Sequence, residues 1–201
     1  GNAIVDVLWQ ATESAIAEYS LNRGSMTLID EDRAEFLTSV MSDERLMESG
    51  GSAGNTAVGI TALGGRSAYV GKVKDDELGR AFQSSLTQTG TLFETPFSTE
   101  GPATARCLIF VTPDGQRTMN TFLGASTRLA PRDINADVIG GSAVTYMEGY
   151  LWDQPEAKDA FRLAIEVAHA QGRLTSLSLS DPFCVDRWRD EFVDMIDAGM
   201  I

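Results

Sequence analysis

The residues best suited to ligand chemistry stand near the start of the chain. Asp6 ends an apolar run that begins at Gly1, so the sequence predicts a buried strand that delivers this carboxylate to a pocket. The segment from Gly50 to Asn55 predicts a turn followed by the first turn of a helix. Glycine has no Cβ, so a ligand can approach the backbone closely there. A carboxylate only accepts hydrogen bonds, whereas an amide both donates and accepts, and together they suit the vicinal hydroxyls of a sugar.

A purely structural interpretation of the same residues stays open. A glycine pair before a helix more often belongs to an ordinary loop without a binding role, and residues 50–55 taken alone favour that interpretation. Asp6 is also compatible with a strand-end carboxylate whose hydrogen bonds are satisfied internally. The balance shifts towards binding when these residues are combined with the motifs further along the chain.

A second set of polar residues follows a predicted turn at residues 113–115. Arg117 has a guanidinium that suits spread negative charge, although an arginine beside an exposed turn is as often solvated. Asn120, on the same predicted strand, can face either a pocket or solvent. Glu148 ends a predicted buried strand, where an unpaired carboxylate is costly. We therefore expect Glu148 to face a pocket or to pair with Arg106 or Arg117.

Apolar side chains supply candidates for contact with a flat ligand. Phe183, directly after Pro182, is a candidate to stack on a purine base, and packing in the core is an alternative at least as good. Met26, Leu28 and Cys107 are candidates for the wall of a base pocket, with the core as the alternative for each.

These residues are positioned by alternating predicted strands and helices. Asp30 is a predicted N-cap followed by apolar residues at helical spacing. An apolar stripe predicts a second helix over residues 155–171, ended by Gly172, and a last helix is predicted over residues 187–198. Strands are predicted at residues 67–72, 106–112, 143–148 and 174–179. Strands separated by helices of this length predict a parallel sheet covered on both faces.

Composition argues against several classes of partner. The 201 residues are 43% hydrophobic, which is ordinary for a globular domain. A formal net charge of −13 argues against nucleic acid or an anionic membrane surface. No apolar run approaches the ~20 residues of a membrane span and no leader pattern occurs, so a soluble cytoplasmic protein is expected. Cys107, Cys184 and the single His169 predict neither a disulfide framework nor a zinc site.

Several motifs, taken in order, resemble one family of kinases. They are Asp6 at a strand end, Gly-Gly-x-x-x-Asn at residues 50–55, Leu-Gly at residues 63–64 and Val-Gly-Lys-Val-Lys-Asp-Asp-Glu-Leu-Gly at residues 70–79. As a set they resemble the PfkB family of sugar and nucleoside kinases, which includes ribokinase, fructokinase and adenosine kinase. Further segments are similar to the bacterial adenosine-kinase-like branch of that family, at residues 104–107, 114–120, 148–152 and 179–183.

The resemblance implies a fold and a set of site residues. The expected fold is α/β and ribokinase-like, with a mostly parallel sheet, helices on both faces and a small β lid from strands near residues 25–30 and 104–123. Residues 1–201 are expected to be the N-terminal part of the kinase domain, without its C-terminal part. Arg117 is a candidate to reach the transferring phosphoryl group when such a lid closes. The residues implied to bind the sugar are Asn2, Asp6, Gly50, Gly51, Ser52 and Asn55.

The activity implied by the resemblance is ATP-dependent phosphorylation of the primary hydroxyl of a nucleoside, with adenosine as the favoured substrate. The implied cofactors are ATP and Mg²⁺. The family's catalytic aspartate lies in a Gly-Ala-Gly-Asp segment, which does not occur in residues 1–201, and its magnesium-associated element is expected after Ile201. The chain also has the pattern of a segment cut at both ends, because Gly1 already lies in a strand pattern and an apolar start follows Gly199. It is therefore expected to supply the acceptor-binding half of the site and to be inactive alone.

Other interpretations stay open beside this one. A fructokinase or other sugar kinase of the same family is the first, because a carboxylate and an amide bind any diol. A module that binds a nucleoside or sugar without phosphoryl transfer is the second. The third is a fragment whose open sheet edge makes it unstable or self-associating. The sequence leaves the oligomeric state undecided.

Overall fold

Strands and helices alternate along the chain. The computed structural model describes residues 1–42 and 44–201. The strands are β1 (Ile4–Gln10), β2 (Met26–Leu28), β3 (Leu46–Gly50), β4 (Ala105–Val111), β5 (Arg117–Phe122), β6 (Val144–Glu148) and β7 (Leu174–Ser178). The helices are α1 (Glu13–Glu18), α2 (Glu31–Val40), α3 (Ser52–Ala62), α4 (Glu77–Gln88), α5 (Ala136–Gly141), α6 (Pro155–Ala170) and α7 (Pro182–Asp197). Short 3₁₀ helices lie at Gly124–Arg128, Pro131–Asp133 and Gly149–Leu151.

The strands form two sheets within the described residues. The larger has the order β2-β5-β4-β1-β3, and the smaller pairs β6 with β7. Parallel pairing joins β1 to β4, β2 to β5 and β6 to β7, whereas β1 with β3 and β4 with β5 are antiparallel. The predicted α/β class with mostly parallel pairing is confirmed. The strands expected near residues 25–30 and 104–123 are present, and they share one sheet with β1.

Local capping explains where the predicted helices begin. Asp30 Oδ1 accepts a hydrogen bond from Arg33 N at 2.8 Å and begins α2, as predicted. The helix predicted over residues 155–171 is confirmed as α6. The last helix begins earlier than the predicted residue 187, at Pro182, where Asp181 caps the helix and proline suits the first position. The backbone leaves helical geometry at Trp188, so a kink lies next to the predicted start.

The strand predicted at residues 67–72 is not formed. This segment makes one isolated bridge, from Ala68 to Leu92, and a second follows just beyond it, from Lys74 to Ser98. The facing segment contains Pro96, which has no N–H to donate, so a continuous ladder cannot form there. Pairing between these segments is therefore interrupted rather than continuous.

Two large apolar cores and one small cluster, formed by Ile139, Ala164 and Ala168, stabilise the described residues. The first core lies on one face of the five-stranded sheet, beneath α1, α2 and α4, and the second is built mainly from the segment around β6, α6 and α7. The largest fully buried side chains of the first core are Leu37, Phe82, Leu86, Leu108 and Phe110, and those of the second are Leu129, Leu151 and Trp152. No helix in the described ranges combines the length and the apolar character that a membrane span requires.

The motif at residues 70–79 has an architectural role. Asp76 Oδ1 accepts hydrogen bonds from Gly79 N at 2.8 Å and from Thr104 Oγ1 at 2.7 Å. Its Oδ2 accepts a third bond from Thr104 N at 2.9 Å. A Cβ on Gly79 would lie 2.0 Å from Lys74 O, so only glycine fits there. Asp76 thus begins α4 and at the same time holds the residue that leads into β4.

Candidate functional site

Strand register places Asp6 in a row of side chains that crosses the larger sheet. Asp6 of β1 is paired with Cys107 of β4, and Cys107 is paired with Thr121 of β5. Paired residues in neighbouring strands point to the same face of a sheet, so the three side chains share a face. Thr121 Oγ1 lies 3.3 Å from Cys107 Sγ. The opposite face carries Val5 and Leu108, which belong to the first core.

The same register extends this surface in both directions. Leu28 is paired with Thr121 and Met26 with Met119, so β2 adds two apolar side chains that are 53% and 39% exposed. On the other side, Glu48 of β3 is paired with Asp6. We call this surface the Asp6 face, and its members are Asp6, Glu48, Cys107, Thr121, Met119, Arg117, Met26 and Leu28.

The two glycines of residues 50–51 permit a close approach between backbone segments. A Cβ on Gly50 would lie 2.4 Å from Asp6 Cγ, so the carboxylate packs directly on the Gly50 backbone. Gly51 has φ +82°, and a Cβ there would lie 2.5 Å from Asn2 O. A Cβ at residue 50 would displace the Asp6 carboxylate, and one at residue 51 would clash with the backbone just before β1, so glycine fits best at both positions. Gly51 then caps α3, and Asn55 N donates to Gly51 O at 2.9 Å.

Most of the residues predicted to bind a sugar are brought together here. Asp6 lies on β1, and Asn2 lies just before it. The Asp6 carboxylate contacts Gly50, and Asn2 O contacts Gly51. Asn2 is buried, and its Oδ1 has no hydrogen-bond partner among the described residues. Ser52 and Asn55 stand in the first turn of α3 and are exposed to solvent.

Burial and one positive charge shift the pKa of Asp6 in opposite directions. Burial raises the pKa of the Asp6 carboxyl, and the charge of Arg117 lowers it. Arg117 is the first residue of β5 and is paired with Val111. Val111 and Cys107 are four residues apart on β4 and point to the same face, so the Arg117 side chain lies on the Asp6 face. Burial also raises the pKa of the Cys107 thiol to about 11, so this group is neutral near pH 7.

Asn120 lies on the other face of the sheet. It is paired with Leu108, and it therefore points towards the helices that cover the first core. The side chain is 3% exposed, and its Nδ2 has no partner among the described residues. The structure does not bring Asn120 together with Asp6.

Glu148 and Phe183 belong to the second part of the molecule. Glu148 ends β6 and is 2% exposed, and Tyr146 Oη donates to its Oε1 at 3.4 Å. The predicted pairing with Arg106 is not formed through Nε or Nη2, because this guanidinium lies over the Phe122 ring on the helix side of the larger sheet. Phe183 stands in the first turn of α7, 6.2 Å from the Tyr150 ring, and packs against the second core.

Thr121 is a member of the site that sequence reasoning missed. The sequence contained the information, because residues 117 and 121 of β5 point to one face of the sheet and residue 120 points to the other. A two-residue period along β5 would have placed Thr121, and not Asn120, on the same face as Arg117.

A large cavity lies apart from this surface. Its volume is about 1120 Å³, and its walls include Ala57 and Ile60 of α3, Val70, and Met147 and Phe161 of the second core. None of the predicted sugar-binding residues is part of its wall in the described chain. Residues 1–42 and 44–201 contain no group of three or more His, Cys, Asp or Glu arranged to hold a metal ion.

Comparison with known proteins establishes the class of protein. Residues 26–199 match the family model described as pfkB family carbohydrate kinase. Because this match covers most of the chain, the protein belongs to the pfkB family of carbohydrate kinases. The resemblance inferred from the motifs is confirmed.

Two solved structures cover the whole chain. An adenosine kinase from Sinorhizobium meliloti is 51% identical with a TM-score of 0.88, and the match covers 100% of this chain and 61% of that one. A probable sugar kinase from Rhizobium etli CFN 42 is 47% identical with a TM-score of 0.89 and the same coverage of 100% and 61%. The predicted ribokinase-like fold is confirmed by these matches.

Among curated relatives, the probable fructokinase-4 of Arabidopsis thaliana is 33% identical over 129 residues, which are 63% of this chain and 40% of that protein. The fructokinase-2 of Solanum lycopersicum is 32% identical over 133 residues, or 65% and 40%. The chain thus spans about 40% of the length of these curated relatives and 61% of the two solved structures.

Proposed function

We propose that the whole protein transfers a phosphoryl group from ATP to the primary hydroxyl of a nucleoside, adenosine, and that residues 1–201 supply the acceptor-binding half of its site. Membership of the pfkB family makes the protein a kinase of nucleosides or sugars. The observation that carries the nucleoside substrate is the Asp6 face, where a carboxylate and an exposed apolar pair share one surface.

In this proposal the carboxylate of Asp6 accepts hydrogen bonds from two ribose hydroxyls. Gly50 lets the sugar and the carboxylate sit close to the backbone, because a larger residue would fill that space. Asn2, Gly51, Ser52 and Asn55 hold the sugar from the side of α3. These residues act by fixing the orientation of the primary hydroxyl for attack, which is a large part of the catalytic advantage in phosphoryl transfer.

The apolar part of the Asp6 face favours a nucleoside over a bare sugar. Met26 and Leu28 offer exposed apolar surface beside Thr121 and Cys107. A planar base buries such surface favourably, whereas a hexose has a hydroxyl on most of its carbons and offers less apolar surface to bury. The 51% identity to a protein described as an adenosine kinase supports the same substrate.

Arg117 is the described residue that suits the transferring group. Its guanidinium is exposed on the Asp6 face and can donate to phosphoryl oxygens. Family membership implies ATP as the donor, with Mg²⁺ typical of such kinases. When bound, Mg²⁺ neutralises charge that develops on the phosphoryl oxygens. Asn120, Glu148 and Phe183 lie off the Asp6 face and take no part in holding the ribose in this proposal.

The second candidate is a sugar kinase that acts on fructose. It is favoured by the curated relatives, which are fructokinases, and by the probable sugar kinase at 47% identity. A diol-binding carboxylate serves both substrates equally, so Asp6 does not decide between them.

The deciding experiment measures turnover of adenosine, fructose and ribose by the complete protein with ATP and Mg²⁺. Formation of adenosine monophosphate as the preferred product is expected. Turnover of fructose with none of adenosine would contradict the nucleoside substrate. Calorimetry on residues 1–201 alone is expected to show adenosine binding without turnover. A chain that neither binds nor melts cooperatively would instead be an unstable fragment.

A further inference from the structure

An ionic bridge joins the turn between β4 and β5 to the loop between α1 and β2. Arg23 Nη2 lies 2.5 Å from Asp114 Oδ2, on the turn, and 2.8 Å from Glu13 Oε1, on α1. Arg23 Nε donates to Glu13 Oε2 at 3.0 Å. One guanidinium thus spans two carboxylates from different parts of the chain, as its fork of donors allows.

Asp114 connects this bridge to the shape of the turn. Its Oδ1 accepts hydrogen bonds from Thr112 Oγ1 at 2.6 Å and from Gln116 N at 3.3 Å. Its Oδ2 is left for Arg23. Movement of Arg23 therefore acts on the carboxylate that organises the turn.

The turn leads directly into Arg117, the first residue of β5. Backbone hydrogen bonds hold the chain on both sides of this residue: Thr112 N donates to Gln116 O at 3.0 Å, and Met119 N donates to Ser25 O at 2.9 Å. Gly24 N also donates to Thr118 Oγ1 at 3.0 Å. The direction of the exposed Arg117 side chain at the beginning of β5 depends on how the turn is held. Arg23 is the side chain that holds it from outside the hairpin.

We propose that Arg23 is a positioning residue: through Asp114 it holds the start of β5 so that Arg117 stays directed across the Asp6 face. The role assigned to Arg117 in phosphoryl transfer rests on the proposed function, but the coupling of Arg23 to Arg117 does not. Exposed ion pairs contribute little to stability, so the role of this bridge is directional.

The test follows the titration of the Asp6 carboxyl by NMR without substrate. Besides Arg117, the titratable groups facing Asp6 are Cys107 and Glu48. Arg117→Gln removes a positive charge and is expected to raise the pKa of Asp6. Arg23→Gln is also expected to raise the pKa of Asp6, by no more than Arg117→Gln does. In the double variant the pKa should equal that of Arg117→Gln, because Arg23 acts only through Arg117.

Arg80→Gln is the matched control, because Arg80 forms an exposed ion pair with Asp75 at 2.6 Å away from this surface. It should leave the Asp6 titration unchanged. An unchanged pKa in Arg23→Gln, or a shift that adds fully to that of Arg117→Gln, would overturn the proposal.

Kinetics on the complete protein then separate this inference from the proposed function. Arg23→Gln is expected to lower kcat more than it raises KM for the acceptor, at an unchanged melting temperature. If no nucleoside is phosphorylated, the proposed function fails, and the Asp6 titration still decides the role of Arg23.

Discussion

Asp6 shows the conflict between binding and stability at a single residue. Its carboxylate rests on the backbone of Gly50 in a half-buried position, and burial raises its pKa. An ionised group with a raised pKa is poorly solvated in the folded state. The same incomplete solvation leaves its oxygens ready to accept hydrogen bonds from a ligand.

Asp6→Asn should therefore weaken binding without lowering stability near neutral pH. Adenosine affinity of the complete protein is expected to fall about ten- to hundredfold, since hydrogen bonds to a charged group contribute about 1.5–3 kcal/mol. A raised folded-state pKa contributes stability below the unfolded value of ~3.9, and this contribution is lost as the pH rises through the folded pKa. As the pH rises above ~3.9, the melting temperature of the variant should consequently rise relative to that of the parent.

Glu48→Gln, on the neighbouring strand of the same face, is the control for that comparison. If Asp6→Asn instead lost stability as the pH rose, the carboxylate would be held by stabilising partners in the fold. That outcome would favour the structural interpretation of Asp6.

Gly51 makes a second prediction at the residue scale. Gly51→Ala should destabilise the fold by about 3 kcal/mol, because it combines left-handed strain with a clash against Asn2 O. Gly64→Ala is a matched control, since Gly64 has φ +84° but no atom within 4 Å of its Cβ position. Strain alone should cost it about 1 kcal/mol. Equal urea midpoints for the two variants would show that the approach of residue 51 to β1 is unimportant.

At the element scale, helix α4 and strand β4 are joined by one carboxylate. Asp76 caps the helix through Gly79 N and also binds both the backbone and the hydroxyl of Thr104. A motif expected from the resemblance to mark the kinase family thus serves to connect two elements. Its residues do not lie on the Asp6 face.

Asp76→Ala is expected to cost about 2 kcal/mol or more, because it removes a cap and leaves Thr104 N without its partner, although the Thr104 hydroxyl keeps its hydrogen bonds with Lys74. Asp30→Ala removes a cap whose side chain binds only Arg33 N, and it should cost about 1 kcal/mol. Urea denaturation of both variants measures the difference. A coupling energy near zero between Asp76→Ala and Thr104→Val would contradict the connecting role.

At the scale of the whole molecule, the two sheets differ in how well their strands are enclosed. β1 and β4 are paired on both edges, whereas β6 and β7 are paired only with each other within the described residues. Leu174 on β7 is also 68% exposed. The larger sheet should therefore be the more protected part of this chain.

Hydrogen exchange tests that difference directly. Amides of β1 and β4 are expected to exchange more slowly than those of β6 and β7, because local opening is easier where fewer contacts surround a strand. Mass spectrometry of peptides covering residues 4–10, 105–111, 144–148 and 174–178 provides the measurement. Equal protection in the two sheets would mean that the chain opens as one cooperative unit.

Sequence reasoning succeeded where the signal was local. The cap at Asp30 and the apolar stripe of residues 155–171 predicted α2 and α6, because helix formation depends on residues a few positions apart. The ordered motifs around Asp6 and residues 50–55 were sufficient for the family. Each is a short segment whose residue types alone restrict what the backbone can do.

The tertiary structure decided which residues share a surface. Register put Thr121 on the same face of the sheet as Asp6 and turned Asn120 to the opposite face, and Pro96 in a facing segment interrupted the strand predicted at residues 67–72. Arg23 and Asp114 are 91 residues apart in sequence, yet they form one bridge. Such pairings depend on contacts between distant segments, and the alternation of side chains then changes face with a shift of a single residue.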